Sequence, residues 1–159
     1  MSKKRNQNTP LVLALVVLAT AGCGSLQEAL SPQAHESKGL SYLEKGDYVK
    51  AEEELKLAAS LAAREPQNRA GNVARLQYEL GALYLKNSKP GDAEEAFKRA
   101  LAIFNENPKL VGSPDRKYWA QCLTDYAQLL RTTDRASEAE VRERQAKEIL
   151  DSLAQPAQP

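Results

Sequence analysis

The sequence predicts an all-α fold, a right-handed α-solenoid of three stacked helix-turn-helix repeats. The first observation behind it is a pattern that returns three times. A small residue sits at Gly39, Gly81 and Ala127, and a large apolar residue follows three positions later at Tyr42, Tyr84 and Leu130. Twelve residues after each small residue comes an alanine (Ala51, Ala93, Ala139), and seven further on another (Ala58, Ala100, Ala146). Repetition at a fixed register implies supersecondary units that bury their apolar faces by stacking. The second observation is helical periodicity. Leu76, Leu80, Gly81, Leu83 and Tyr84 share one side of a helix, as do Ala139, Ala146, Ile149 and Leu153. The third is the lack of any strand-like alternation after residue 22.

Each helix has its own start and stop signals. Ser31-Pro32 reads as an N-cap with proline at the first helical position, and Gly46 stops that helix after about Lys45. Asp47 is expected to cap the second helix, which ends near Arg64 because Glu65 precedes Pro66. Gln67 to Gly71 reads as a loop, and the third helix covers about Asn72 to Asn87. Pro90-Gly91-Asp92 opens the fourth, which ends near Asn105, and Asn107 to Gly112 is the second loop. Ser113-Pro114 starts the fifth, up to about Arg131. Asp134 is expected to cap the sixth, which runs to about Leu153. The domain is thus 32–153, and the tail 154–159, AQPAQP, is expected to be disordered for lack of anything to bury.

These residues resemble the tetratricopeptide repeat signature, W-x2-L-G-x2-Y followed by A-x3-F and P. The middle repeat fits best, with Leu80, Gly81, Tyr84, Ala93, Phe97 and Ala100. The signature tryptophan is replaced by His35, Gln77 and Leu123, and Glu143 stands in the third repeat where the family has a large apolar residue. The repeats are 42 and 46 residues apart, longer than the usual 34, and the longer period resembles the kinesin-light-chain-like branch. The resemblance implies that Gly81 lets the partner helix approach, and that Tyr84, Phe97 and Ala100 fill the wedge between hairpins. It also implies that the first helix of each pair lines a concave, protein-binding face.

Residues 1–22 have a different character. Lys3, Lys4 and Arg5 precede the apolar run Leu11–Ala19, and small residues lead to Cys23. That is the layout of a signal peptide, and the run is shorter than the ~20 residues a spanning helix needs. LATAGC resembles a bacterial lipobox, with Thr20 where leucine is usual, which implies lipidation of Cys23 and cleavage before it. Residues 23–31 would then form a membrane tether. Gly24 and Ser25 follow the cysteine with no aspartate beside it; by resemblance to envelope lipoproteins, that implies the outer membrane, facing the periplasm. From Cys23 onward 19 basic residues stand against 21 acidic ones, a net of −2. A near-neutral domain without a basic face argues against nucleic acid.

No catalytic set is legible. His35 is the only histidine, which excludes a histidine-based triad or multi-histidine metal site, and no phosphate-binding glycine loop exists. No enzyme activity, metal or other cofactor is expected. Cys122, among Trp119, Leu123 and Tyr126, reads as a buried small hydrophobe. Glu52-Glu53-Glu54 and Lys98-Arg99 read as solvated helix sides.

What remains is binding. The face of the third helix opposite its packed side carries Arg75, Tyr78, Leu85 and Lys86, and that of the fifth carries Gln121, Thr124, Gln128 and Arg131. Glu36, Leu40, Leu43 and Glu44 continue it on the first. Such a face would suit a protein or peptide partner with an apolar anchor and a carboxylate. The expected function is a lipid-anchored protein-binding scaffold that assists assembly of a membrane complex. The alternative is a periplasmic ligand-delivery component with a small molecule in an apolar pocket of the groove. A closed cavity would favour the alternative, and the scarcity of aromatic groove residues besides Tyr78 opposes it.

Overall fold

The computed structural model describes residues 30–64, 70–108 and 113–154. These form six helices: α1 (Pro32–Glu44), α2 (Tyr48–Arg64), α3 (Ala70–Lys86), α4 (Pro90–Glu106), α5 (Ser113–Thr132) and α6 (Ala136–Ala154). They pair as three hairpins, α1/α2, α3/α4 and α5/α6; α2 packs on α3, α4 on α5, and α3 also on α5. The leader, Cys23, most of the tether, Pro66 and residues 155–159 lie outside the described residues. No described helix is long and apolar enough to cross a membrane.

The repeat register is the packing register. Ala51, Ala58, Ala93, Ala100, Ala127 and Ala139 are fully buried, and Ala146 nearly so. Small side chains there let paired helices approach. Within the hairpins, an added Cβ would lie 2.5 Å from the Phe97 ring at Gly81 and 2.8 Å from Leu55 at Gly39. Leu55 and Phe97 are equivalent positions, both fully buried, and Glu143 takes that place on α6. Lys147 likewise stands where Ala59 and Leu101 pack. Charge at both positions gives the last helix the polar outer face that ends a stack.

All three hairpins turn in the same way, and here the structure corrects the sequence. Gly46, Ser88 and Asp134 occupy equivalent positions with φ of +76°, +56° and +57°. The next amide in each donates back five residues: Asp47 to Tyr42 at 2.9 Å, Lys89 to Tyr84 at 2.8 Å and Arg135 to Leu130 at 3.0 Å. This is the left-handed helix stop usually given to glycine. Asp134 therefore ends α5 instead of capping α6, whose first hydrogen bond runs from Ala139 to the Arg135 carbonyl at 3.1 Å. Two of the capping signals hold: the Ser31 hydroxyl accepts from the Ala34 amide at 3.2 Å, and Asp47 Oδ1 accepts from the Lys50 amide at 3.3 Å. Ala70 and Gly71, read as loop, belong to α3.

A left-handed serine is strained where glycine is not. Ser88→Gly is expected to raise the unfolding free energy by about 0.5–1 kcal/mol, the usual gain from relieving such a residue less the added chain entropy. Urea unfolding measures it, and a loss of stability would contradict the turn geometry.

Candidate functional site

Helices α1, α3 and α5 are the first helices of the three hairpins, and one polar cluster links them. At its centre is Arg75 on α3. Its guanidinium bonds both carboxylate oxygens of Glu36 on α1, one of them through Nη2 at 2.8 Å, and reaches Glu79 one turn along α3 at 2.8 Å. Its head lies 5.5 Å from the centre of the Tyr118 ring on α5. Beside it, the Tyr78 hydroxyl donates to Asp125 Oδ2 at 3.1 Å, and Gln121 Nε2 donates to Asp125 Oδ1 at 2.9 Å. The Tyr78 ring is 6.1 Å from Tyr118 and 6.2 Å from Phe97, so it joins this face to the core.

The electrostatics follow from burial. Glu79 is only 9% exposed, and its Oε2 has no hydrogen-bond partner. Desolvation, then repulsion from Glu36, pushes its carboxyl up to about 7, with Arg75 opposing the shift. The Arg75 guanidinium is held further above its ordinary value, chiefly by its bonds to Glu36. Burial raises the Tyr78 phenol, and Asp125 adds to the shift.

The structure sorts the expected site residues. Arg75, Tyr78 and Gln121 come together, but not as free donors. Arg75 is already engaged by two carboxylates, Glu36 and Glu79. Tyr78 is half-buried and structural, not opposite the packed side. Leu85 is partly buried against the core, while Lys86, Gln121 and Gln128 are exposed. Thr124 donates to the Ala120 carbonyl of its own helix at 3.0 Å. Arg131 leaves the cluster to make a two-bond pair with Glu143 on α6, at 2.9 and 2.8 Å. Sequence reasoning missed Glu79, Tyr118 and Asp125. The signal was there: Glu79 follows Arg75 by four residues and Asp125 follows Gln121 by four, the spacing of neighbours on one helix side.

The second-helix side is built from two matching clasps. Glu52 on α2 accepts from the Tyr84 hydroxyl at 3.1 Å and pairs with Lys56 at 2.7 Å and Lys89 at 3.2 Å. Glu94 on α4 accepts from the Tyr126 hydroxyl at 3.0 Å and pairs with Lys98 at 2.8 Å and Arg135 at 2.7 Å. Lys98, then Arg135, holds the Glu94 carboxyl down at about 2. Glu54 reaches His35, with Oε2 2.5 Å from Nδ1. Of the acidic triplet only Glu53 is exposed; Glu52 and Glu54 tie helices together and are not solvated as the sequence suggested.

Hollows of about 320 and 450 Å³ lie between these second helices. Lys56 and Arg99 edge the first; Lys98, Arg135 and Arg142 edge the second. Both are clefts open to solvent, not closed cavities. Cys122 is fully buried, its Sγ 3.8 Å from the Phe97 carbonyl, and burial raises its thiol. Among the described residues no group of His, Cys, Asp and Glu could hold a metal ion.

Residues 30–106 match the family model of the tetratricopeptide repeat. A TPR-like protein from Chlorobium tepidum has a similar crystal structure. The likeness covers 84% of this chain and 85% of that one, with a TM-score of 0.64 and 20% sequence identity. No curated protein matches the chain. The first two hairpins carry the tetratricopeptide pattern, and all three share the TPR-like architecture.

Proposed function

We propose that the chain is a lipid-anchored scaffold of the bacterial envelope that holds a partner protein on its first-helix face. The carrying observation is the joining of α1, α3 and α5 by one cluster of charged and aromatic side chains, with Gln121, Gln128 and Tyr118 exposed beside it. Tyrosine is among the side chains enriched at binding hot spots, and Tyr118 is exposed here. The lipobox-like LATAGC supports the anchor, and Gly24-Ser25 after Cys23 supports the outer membrane with the domain facing the periplasm. A tether of about nine residues reaches at most ~30 Å, so the partner would lie close to the membrane. The long repeat spacing supports a kinesin-light-chain-like variant of the repeat.

Anchoring and binding are tested together in cells. Cys23→Ser is expected to leave an unprocessed protein lost from the membrane fraction, because acyl chains hold it there at ~0.8 kcal/mol per buried methylene. Unchanged mobility and fractionation would end the lipoprotein reading. A photo-crosslinking residue at Gln128 should give a partner adduct that the same residue at Glu53, exposed on α2, does not. The reverse pattern would move the binding surface to the second helices.

A further inference from the structure

The charge balance of the first-helix face points to the chemistry of what it holds. In the cluster at its centre Glu36, Glu79 and Asp125 stand against one guanidinium, Arg75, which is shared between the first two; Lys86 is exposed further along the face, and Arg131 is paired with Glu143. Asp125 has only neutral donors, the Tyr78 hydroxyl and the Gln121 amide. Among the described residues no lysine, arginine or histidine forms an ion pair with it. These two donors hold its partly exposed carboxylate in place. Tyr118, 37% exposed, lies beside the cluster with its ring next to Arg75 and Tyr78. An independent sign comes from Glu79, whose Oε2 is buried without a partner. A buried carboxylate short of a donor is costly unless a further positive group or proton approaches.

We propose that this face takes a basic segment of its partner, seating a lysine or arginine side chain against Asp125 and the Tyr118 ring. The reading rests on the first-helix face being the binding surface, and it names the partner's chemistry. A bidentate guanidinium suits a carboxylate and also stacks on an aromatic ring. An acidic segment would meet the Asp125 carboxylate and an arginine already paired with Glu36 and Glu79, a juxtaposition that disfavours it. In the clefts between the second helices the carboxylates already have cations: Glu52 has Lys56, Glu95 has Arg99, Glu94 has Lys98 and Arg135, and Glu138 has Arg135.

The test uses the full chain in detergent and three fluorescent peptides, acetylated and amidated, of alternating serine and alanine with three arginines, three glutamates or three norleucines. Anisotropy at low salt should show the arginine peptide binding at least tenfold tighter than the glutamate peptide. Asp125→Asn should weaken it several-fold and Tyr118→Leu likewise, with Glu53→Gln as the unchanged control. Thermal melting of each variant separates a lost site from a lost fold. The arginine peptide should also tighten from pH 6 to pH 8. Arg75 bonds Glu79 on one side and faces Tyr118 on the other, so a cation seated at Tyr118 favours release of the proton that the Glu36 charge and burial hold on Glu79.

If the glutamate peptide binds as well or better and loses affinity in Tyr118→Leu, the face stands as the binding surface and the basic partner is overturned. If no peptide responds to either face variant while the folds persist, both the basic partner and the first-helix face fall. If Glu53→Gln weakens the arginine peptide as much as Asp125→Asn does, the binding is general attraction to acid, and the proposed seat is overturned.

Discussion

Phe97→Ala is expected to remove about 3–5 kcal/mol of unfolding free energy, the usual cost of emptying a buried aromatic site. The ring is fully buried, covers Gly81, stacks 6.2 Å from Tyr78 and lies tilted 6.2 Å from Tyr126. It thus belongs at once to the second hairpin, to the seam with the third and to the floor of the first-helix face. A domain of this size holds together by only ~5–15 kcal/mol, so the loss is a large share of the whole. The cavity cannot fill easily, because the residue the ring covers, Gly81, has no side chain to move into it. Val141→Ala, at an exposed position on α6, should change stability by less than about 0.5 kcal/mol. Equal urea midpoints for Phe97→Ala and Val141→Ala would show that the ring does not join the repeats.

The parts of the fold legible in sequence are those that depend on local spacing. Alanines at twelve and nineteen residues after each small residue gave the hairpin register, because close packing demands small side chains at those places in every repeat. Proline and capping residues gave most helix starts to within two residues. Asp134 misled because aspartate before a helix usually caps it. Only alignment with Gly46 and Ser88 at the repeat spacing shows that the position is a left-handed stop. The candidate site was less legible because its chemistry depends on long-range pairing. Arg75 reads as a free donor on its own helix, and its partner Glu36 lies 39 residues away. Glu52 reads as solvated until Tyr84 and Lys89 arrive from the next hairpin. Hydrophobic periodicity tells which side of a helix is buried, but not which charges meet across a seam.

Glu79 should make stability fall as pH rises through neutrality, and Glu79→Gln should abolish most of that dependence. The cause is competition. Arg75 spends two bonds on Glu36 and one on Glu79, and the rest of the Glu79 carboxyl is buried with Oε2 unpaired. Desolvation and the Glu36 charge together outweigh the attraction of Arg75, which leaves the carboxyl at about 7 against an ordinary value of 4.5. The folded state therefore binds this proton more tightly than the unfolded state. The stabilisation is complete below pH 4.5 and is lost as pH climbs through 7. Each tenfold gain in proton affinity on folding is worth about 1.4 kcal/mol, so the loss approaches ~3 kcal/mol. Carboxylates held low act in the opposite sense: Glu94, at about 2, contributes stability that disappears only in strong acid, well below this window. Urea unfolding of the wild type and Glu79→Gln at half-unit steps from pH 5 to pH 8.5 isolates the group, because the glutamine keeps the shape and can still accept from Arg75. The difference between the two should shift in the variant's favour by up to ~3 kcal/mol across the range. A constant difference would mean that Glu79 is ionised in the folded protein throughout, fully compensated by Arg75, and that the cluster carries one negative charge more near neutrality than its burial implies.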